Sequence, residues 1–395
     1  MDLEEGGRES SSARSHRLAQ AGVLAVLRSG PAVSRAELER ALGLSRSAVV
    51  KAVDHLLAMG VIGEEPGQSD GGRGRPGRRL VARYPGGTVV GIDFGHDHIA
   101  VAIADLDLTV RAEDRTPFPV DDDANAAMGA AAELVADLID GAGLAAAEQP
   151  TICGVGVPGP LDAARRMVSS PTILRNWSGV DLVEELGLRT GLSVVIDNDA
   201  NLGAIAELHA GAAVSYQNFI YVKASGGVGA CVVINGQVLR GHAGAAGEIG
   251  HTQLRADGAW CRCGNRGCLE TVVSVGQVLE QIGNLYPGVP DLRENLPELA
   301  AHPVARKVLA ESGRTLGMVL ANLCALLDPA ALVIGGELVL AGPEFIAGLD
   351  ESVQRLAQPG RDNQVHVHPA ALGIRAELMG SLLIARDAQL ATTTG

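Results

Sequence analysis

The chain has 395 residues, 47% of them hydrophobic and 20% charged, enough for two or three ordinary domains and too apolar for a disordered protein. No apolar run approaches the ~18–20 residues of a membrane-spanning helix. The N-terminus opens on Asp2, Glu4 and Glu5 rather than on a basic stretch leading into an apolar one, so a cytoplasmic chain is expected. The net charge of −14 is uneven: residues 1–88 carry 13 Lys+Arg against 10 Asp+Glu, and the remaining 307 carry 19 against 36. A mildly basic head on an acidic body fits a DNA-binding module joined to a ligand-reading one.

Residues 1–15 are polar and lack apolar periodicity, and are expected to be a disordered leader. From Leu18, the residues Leu18, Gly22, Val23, Val26 and Leu27 recur at helical spacing up to Ser29-Gly30-Pro31. Ser34 and Glu37 form a capping-box pattern for a second helix that Gly43 ends. Ser45 caps a third, which runs to about Met59. Its inner face is Val49, Val53, Leu56 and Leu57, while Arg46, Ser47, Lys51 and His55 lie on other faces.

Two helices joined by Gly43-Leu44-Ser45 have helix-turn-helix form, though a helix pair alone equally describes an ordinary surface bundle. The next twenty residues favour DNA. Val61-Ile62 starts a strand, residues 71–79 (Gly-Gly-Arg-Gly-Arg-Pro-Gly-Arg-Arg) form an acid-free hairpin tip, and Leu80-Val81 returns, giving a winged helix over 16–83. Ser45, Arg46, Ser47 and Lys51 on the third helix and Arg73, Arg75, Arg78 and Arg79 on the wing are the candidate DNA contacts.

After a linker near 84–88 the pattern becomes α/β. Thr88–Gly95 is an apolar strand running into a glycine turn, and Ile99–Ile103 pairs back on it. Helices near 124–140 and 199–210 alternate with strands near 151–157, 193–197, 219–224 and 230–234, a pattern that suits two similar α/β lobes over 88–392. Within this body His251, Cys261, Cys263 and Cys268 form a His-x9-Cys-x-Cys-x4-Cys set broken by Gly264 and Gly267. Three thiolates and an imidazole saturate tetrahedral zinc, which favours a structural ion over a hydrolytic one with an open position. Cys153, Cys231 and Cys324 fall in apolar segments and read as core.

Gly247-Glu248-Ile249-Gly250-His251 followed by Cys261-Arg262-Cys263-Gly264-Asn265-Arg266-Gly267-Cys268-Leu269-Glu270 resembles the signature of the ROK family, repressors and sugar kinases with an actin-like ATPase fold. Residues 154–162 (Gly-Val-Gly-Val-Pro-Gly-Pro-Leu-Asp), Asp197-Asn198-Asp199-Ala200-Asn201, and Asp328-Pro329 leading to Gly335-Gly336 extend the resemblance over about 88–392. The winged head is similar to that of the family's regulators; its kinases lack one. The resemblance implies a cleft in which Asn198, Asp199, Glu248, His251 and Glu270 contact sugar hydroxyls, with the zinc loop 251–270 holding His251 and Glu270. Taken singly, Asp199 is equally the start of a helix.

In the family's kinases Asp199 would be the catalytic base, but their phosphate turn is Gly-Gly-Thr-Lys-like and here it reads Gly95-His96-Asp97-His98. A carboxylate there repels phosphate, so no ATP is expected, even though the turn Ser225-Gly226-Gly227-Val228-Gly229 remains. The expected function is a sugar-responsive transcriptional regulator, a repressor of carbohydrate genes, working as a homodimer or homotetramer on operator DNA with a sugar or sugar phosphate as effector. The alternative is an ATP-dependent hexose kinase carrying a DNA-binding head.

Overall fold

A computed structural model of the chain describes all residues except 1–15, 17–18, 21, 25, 28–32, 67–77, 85, 163–166, 169–172, 286–295, 357–363 and 394–395. The expected leader, the starting Leu18 and the tip arginines Arg73 and Arg75 therefore lie outside the described residues. The chain divides at Gly86/Gly87 into two compact units.

In the first unit the described residues between 16 and 27 are helical and bury Ala19, Val23 and Leu27. Helix α1 (Arg35–Leu42) opens on the reciprocal cap: Glu37 N donates to Ser34 Oγ at 3.3 Å, and Ser34 N donates to the Glu37 carboxylate at 2.6 Å. That backbone bond from Ser34 draws the Glu37 pKa down to about 2. Gly43 closes the helix at φ 62°, and α2 (Arg46–Ala58) starts from Ser45, burying Val49, Ala52, Val53 and Leu56. Leu57 is only half-buried. Strands β1 (Ile62–Pro66) and β2 (Arg78–Ala82) pair antiparallel, from Ile62 opposite Ala82 to Pro66 opposite Arg78. Arg78 and Arg79 thus belong to the returning strand and not to the tip where the sequence places them, because the ladder extends further towards the tip than the apolar pair Leu80-Val81.

The second unit repeats one topology. Strands β3 (Thr88–Phe94), β4 (His98–Asp105), β5 (Val110–Pro117), β6 (Ile152–Val157) and β7 (Ser193–Asn198) form a sheet of order β5-β4-β3-β6-β7. Helix α3 (Ala124–Gly141) lies between β5 and β6 in the chain, α4 (Leu182–Thr190) between β6 and β7, and α5 (Asp199–Ala210) follows β7. Strands β8 (Phe219–Ala224), β9 (Val228–Ile234), β10 (Gln237–Val238), β11 (Ala331–Gly335) and β12 (His366–Pro369) form a second sheet of order β10-β9-β8-β11-β12. In both, the first three strands are antiparallel neighbours and the last two run parallel to the first. Each sheet's central strands are buried along their whole length because both faces are covered, and apart from Thr88, Asp93 and Lys223 their side chains are apolar or aromatic. Helices α6 (Val275–Leu285), α7 (Pro303–Leu327) and α8 (Pro343–Leu356) build the second lobe's core, in which Leu309, Leu316, Phe345 and Leu349 are fully buried.

The last helix, α9 (Ala376–Thr393), leaves the second sheet and returns to the first, packing on β3, β6 and α5. Small residues permit the approach: a Cβ on Gly154 would lie 1.9 Å from the Ser381 carbonyl oxygen, and Ser381 Oγ donates to the Ile92 carbonyl at 2.9 Å.

Candidate functional site

The His251/Cys cluster assembles as the spacing predicts. After His251 the chain turns back on itself, with Leu254 N bonded to Gly267 O at 2.8 Å and Leu269 N to Thr252 O at 2.9 Å. These rungs bring one ligand atom each of His251, Cys261, Cys263 and Cys268 within 4.8 Å of one another. Zinc with Zn–S of about 2.3 Å and Zn–N of about 2.0 Å requires tetrahedral edges of about 3.8 Å between sulfurs and about 3.5 Å between sulfur and nitrogen. Cys263 Sγ and Cys268 Sγ are 3.7 Å apart, and Cys261 Sγ lies 3.5 Å from His251 Nδ1. The donor set therefore fits the ion, and the cysteines are free thiols. Burial, then the neighbouring thiols, push Cys268 up to about 12, and burial holds His251 below its ordinary value. A cation reverses the first tendency, and the second keeps the imidazole in its ligating neutral form. His251 turns Nδ1 to the sulfurs and Nε2 to Glu248 Oε2 at 3.7 Å, so one ring faces both the metal set and the cleft.

All five expected sugar residues, Asn198, Asp199, Glu248, His251 and Glu270, line one cleft, together with the turns Gly95–His98 and Ser225–Gly229. Asn198 caps α5 through Asn201 N at 3.2 Å and donates Nδ2 to Gly159 O at 2.9 Å, while Asp199, read from the sequence as a helix start, is the first residue of α5 and lines the cleft as well. Asp199 accepts from Ala200 N at 2.7 Å and from Lys223 Nζ at 3.0 Å. Glu270 accepts from Val228 N at 3.2 Å on one oxygen and from Arg262 Nε at 2.9 Å on the other. Burial, followed by the charges of Asp199 and Glu270, raises Glu248 to about 7. The cleft thus presents oriented acceptors beside one carboxyl held more basic than usual, a set suited to a ligand rich in hydroxyls.

Lys223 escaped the sequence reading. It is the last residue but one of β8, is buried, and faces three acids: Asp199, Glu377 and Asp93. Burial opposes its charge, but those carboxylates outweigh it and hold the pKa above that of a free lysine. A lone lysine inside an otherwise apolar strand was the available signal. Asp93, on β3, is likewise buried, and its Oδ1 has no hydrogen-bond partner.

At the turn Gly95-His96-Asp97-His98 the His98 ring folds back over Gly95, so closely that a Cβ there would lie 2.0 Å from its Cε1. Asp93 Oδ2 holds its Nε2 at 3.2 Å and Asp97 Oδ1 its Nδ1 at 3.0 Å. Burial would lower the His98 pKa, but these two bonds more than offset it and the pKa is raised. His96 pairs with Asp121 through Nδ1 at 2.7 Å.

In the first unit Ser45, Arg46, Ser47 and Lys51 are all exposed on the start and outer face of α2, whose first turn has no acid. Of the wing arginines described, Arg78 pairs with Glu64 at 2.5 Å and Arg79 with Glu37 at 3.3 Å. Both are partnered within the unit itself.

A sequence profile of the ROK family matches residues 89–388, and one of the MarR family matches residues 17–71. The chain belongs to the ROK family. Its fold is a winged helix-turn-helix followed by the family's two-lobed, actin-like body. The chain is similar to the xylose repressor of Bacillus spizizenii, 30% identical over 370 residues that span 90% of this chain and 91% of that one. It is also similar to a glucokinase of Streptomyces coelicolor, 30% identical over 322 residues, 76% of this chain and 98% of the enzyme. Among solved structures, a ROK transcriptional regulator described as a homolog of the Escherichia coli MLC protein superposes with a TM-score of 0.72 at 24% identity, covering 95% of this chain and 96% of that one.

Proposed function

We propose that this ROK protein is a sugar-responsive transcriptional repressor that binds operator DNA through its winged head and reads a sugar in the body's cleft. The observation that carries this reading is the extent of the likeness: similarity to a named repressor runs through 90% of the chain, and to a glucokinase through 76%. Ser45, Arg46, Ser47 and Lys51 on α2, with Arg73, Arg75, Arg78 and Arg79 on the wing, contact the DNA. Asn198, Asp199, Glu248, His251 and Glu270 contact the sugar, and His251, Cys261, Cys263 and Cys268 hold a structural zinc whose role is to cross-link the loop. Sugar binds the DNA-incompetent population of a cytoplasmic homodimer or homotetramer more tightly and so removes the repressor in proportion to that difference.

A second reading, hexose kinase, is favoured by one observation, the retained Asp199. Two contacts speak against it. Lys223 Nζ lies 3.0 Å from Asp199 Oδ2, and a buried ammonium there disfavours the proton uptake asked of a base. The His98 ring, pinned by Asp93 and Asp97, fills the turn where phosphate oxygens would need bare backbone. Both contacts disfavour phosphoryl transfer, and no ATP is needed for the repressor role.

Fluorescence anisotropy of the full chain on fragments of its own upstream DNA, with and without D-xylose, D-glucose and their phosphates, tests the proposal. A specific complex that one sugar loosens is expected. No specific complex at low and moderate salt, together with ADP release from MgATP and a hexose that Asp199→Ala abolishes, would reverse the order of the two readings.

A further inference from the structure

Arg262 stands between two of the clustered cysteines, where the sequence marks it only as a letter of the family signature, yet it bridges the cleft through three separate acceptors. Its Nε donates to Glu270 Oε1 at 2.9 Å, its Nη1 to Asp121 Oδ2 at 3.2 Å and its Nη2 to the Gly226 carbonyl at 3.3 Å. Glu270 and Gly226 belong to the second lobe, whereas Asp121 follows the last antiparallel strand of the first. Asp121 is itself held: His96 Nδ1 lies 2.7 Å from its other carboxylate oxygen, and Trp177 Nε1 donates to the adjacent Val120 carbonyl at 2.9 Å. The His96 nitrogen also lies 3.3 Å from Arg262 Nη1. Since the shorter contact takes its proton to Asp121, the carboxylate and not the imidazole is the partner of Arg262. A planar guanidinium spreads its donors over three nitrogens and so reaches acceptors on well-separated elements, whereas the three donors of an ammonium radiate from a single atom.

We propose that Arg262 is the positioning residue of the cleft: it sets the Glu270 carboxylate for the ligand and, through Asp121, clasps the cysteine-rich loop to the first lobe, so that ligand binding and lobe closure are one event. Glu270 has both oxygens fixed, by Arg262 and by Val228 N, and offers its remaining lone pairs inward. Arg262 itself is 32% exposed and Asp121 36%, so the clasp sits at the mouth, where closure is decided. Its ligand role rests on the sugar reading of the cleft; its mechanical role does not.

The test uses the full-length protein and Arg262→Met, Asp121→Asn and the double variant, with zinc per chain measured in each. Titration calorimetry with D-xylose and D-glucose is expected to show roughly tenfold weaker binding for Arg262→Met, which loses the Glu270 contact and the bridge together, a smaller loss for Asp121→Asn, which loses the bridge alone, and in the double no loss beyond that of Arg262→Met. Arg262→Lys, which keeps charge without the fork, recovers less than half of the loss on a logarithmic scale. Without any sugar, amide exchange of residues 253–268 is expected to quicken in Asp121→Asn, a change far from the loop in sequence, as well as in Arg262→Met, at unchanged zinc content. Losses that multiply in the double variant, or loop exchange indifferent to Asp121→Asn, overturn the clasp. If neither sugar binds even the unaltered protein, the sugar reading falls and the exchange measurement alone decides the clasp.

Discussion

His209 shows how one side chain can set a pH response. Burial, with the nearby Arg386 guanidinium, whose Nη1 is 3.5 Å from its Nε2, holds its pKa at about 4, against an ordinary value of 6.5. Above pH 6.5 the imidazole is neutral in both native and unfolded chains and costs nothing. As pH falls from 6.5 towards 4 the unfolded chain takes up a proton that the native protein refuses, and stability drops. Discounting for the part of the ring that water reaches, the loss is about 1 kcal/mol at pH 5. His209→Gln removes the proton and should flatten that segment of a urea-unfolding series between pH 7.5 and 5; an unchanged slope would place the acid sensitivity elsewhere.

Among the secondary-structure elements, the return of α9 to the first sheet decides which glycines matter. Gly154 on β6 faces the Ser381 carbonyl, a backbone atom that has nowhere to go, whereas Gly129 within α3 has nothing within 4 Å of the added carbon and no unusual dihedral. Gly154→Ala is therefore expected to destabilise by about 2–3 kcal/mol, and Gly129→Ala to stabilise by roughly 0.5–1 kcal/mol through helix propensity and a less free unfolded chain. Urea denaturation of the two variants separates these effects, and an equal response would mean that α9 is not held against β6. Much at this scale was legible in the sequence: the capping box at Ser34, the cap at Ser45, the helix start at Asp199 and the strand at 219–224 all follow from neighbours a few residues apart. The strand Val110–Pro117 was missed because its residues, Val-Arg-Ala-Glu-Asp-Arg-Thr-Pro, are largely polar and half-exposed at a sheet edge, so they carry no buried alternation. The glycines inside α7, Gly313 and Gly317, seat it against α8, where a Cβ would meet the Phe345 and Leu349 carbonyls.

For the whole molecule, charge is the property that bears on DNA. An acidic body repels the duplex, so the head gains little from net charge and must rely on local contacts from α2 and the wing. Removing one side chain that neutralises a phosphate should lower the slope of log affinity against log salt by about 1. Lys51→Ala and Arg46→Ala, both exposed on α2, are expected to weaken operator binding; the change that touches phosphate reduces the slope, and the change that touches a base leaves it but relaxes sequence preference. A variant pair that alters neither would remove α2 from the interface. Among the described residues no helix is long and apolar enough to cross a membrane.

The cleft residues were named by the resemblance of the motifs to the ROK family; by itself the sequence determined what depends on short spacing, the turn between α1 and α2 and the clustering of His251 with Cys261, Cys263 and Cys268. These rest on backbone geometry and donor chemistry that act over a few residues, so the order of letters carries them. The tertiary structure alone decided the repeated sheet order, the return of α9, the Lys223 counter-charge to Asp199 and the Arg262–Asp121 bridge. Each joins residues from 24 to nearly 300 positions apart, and a lysine or arginine has the same local signature whether it faces water or crosses a cleft. Only the packed lobes say which partner it meets.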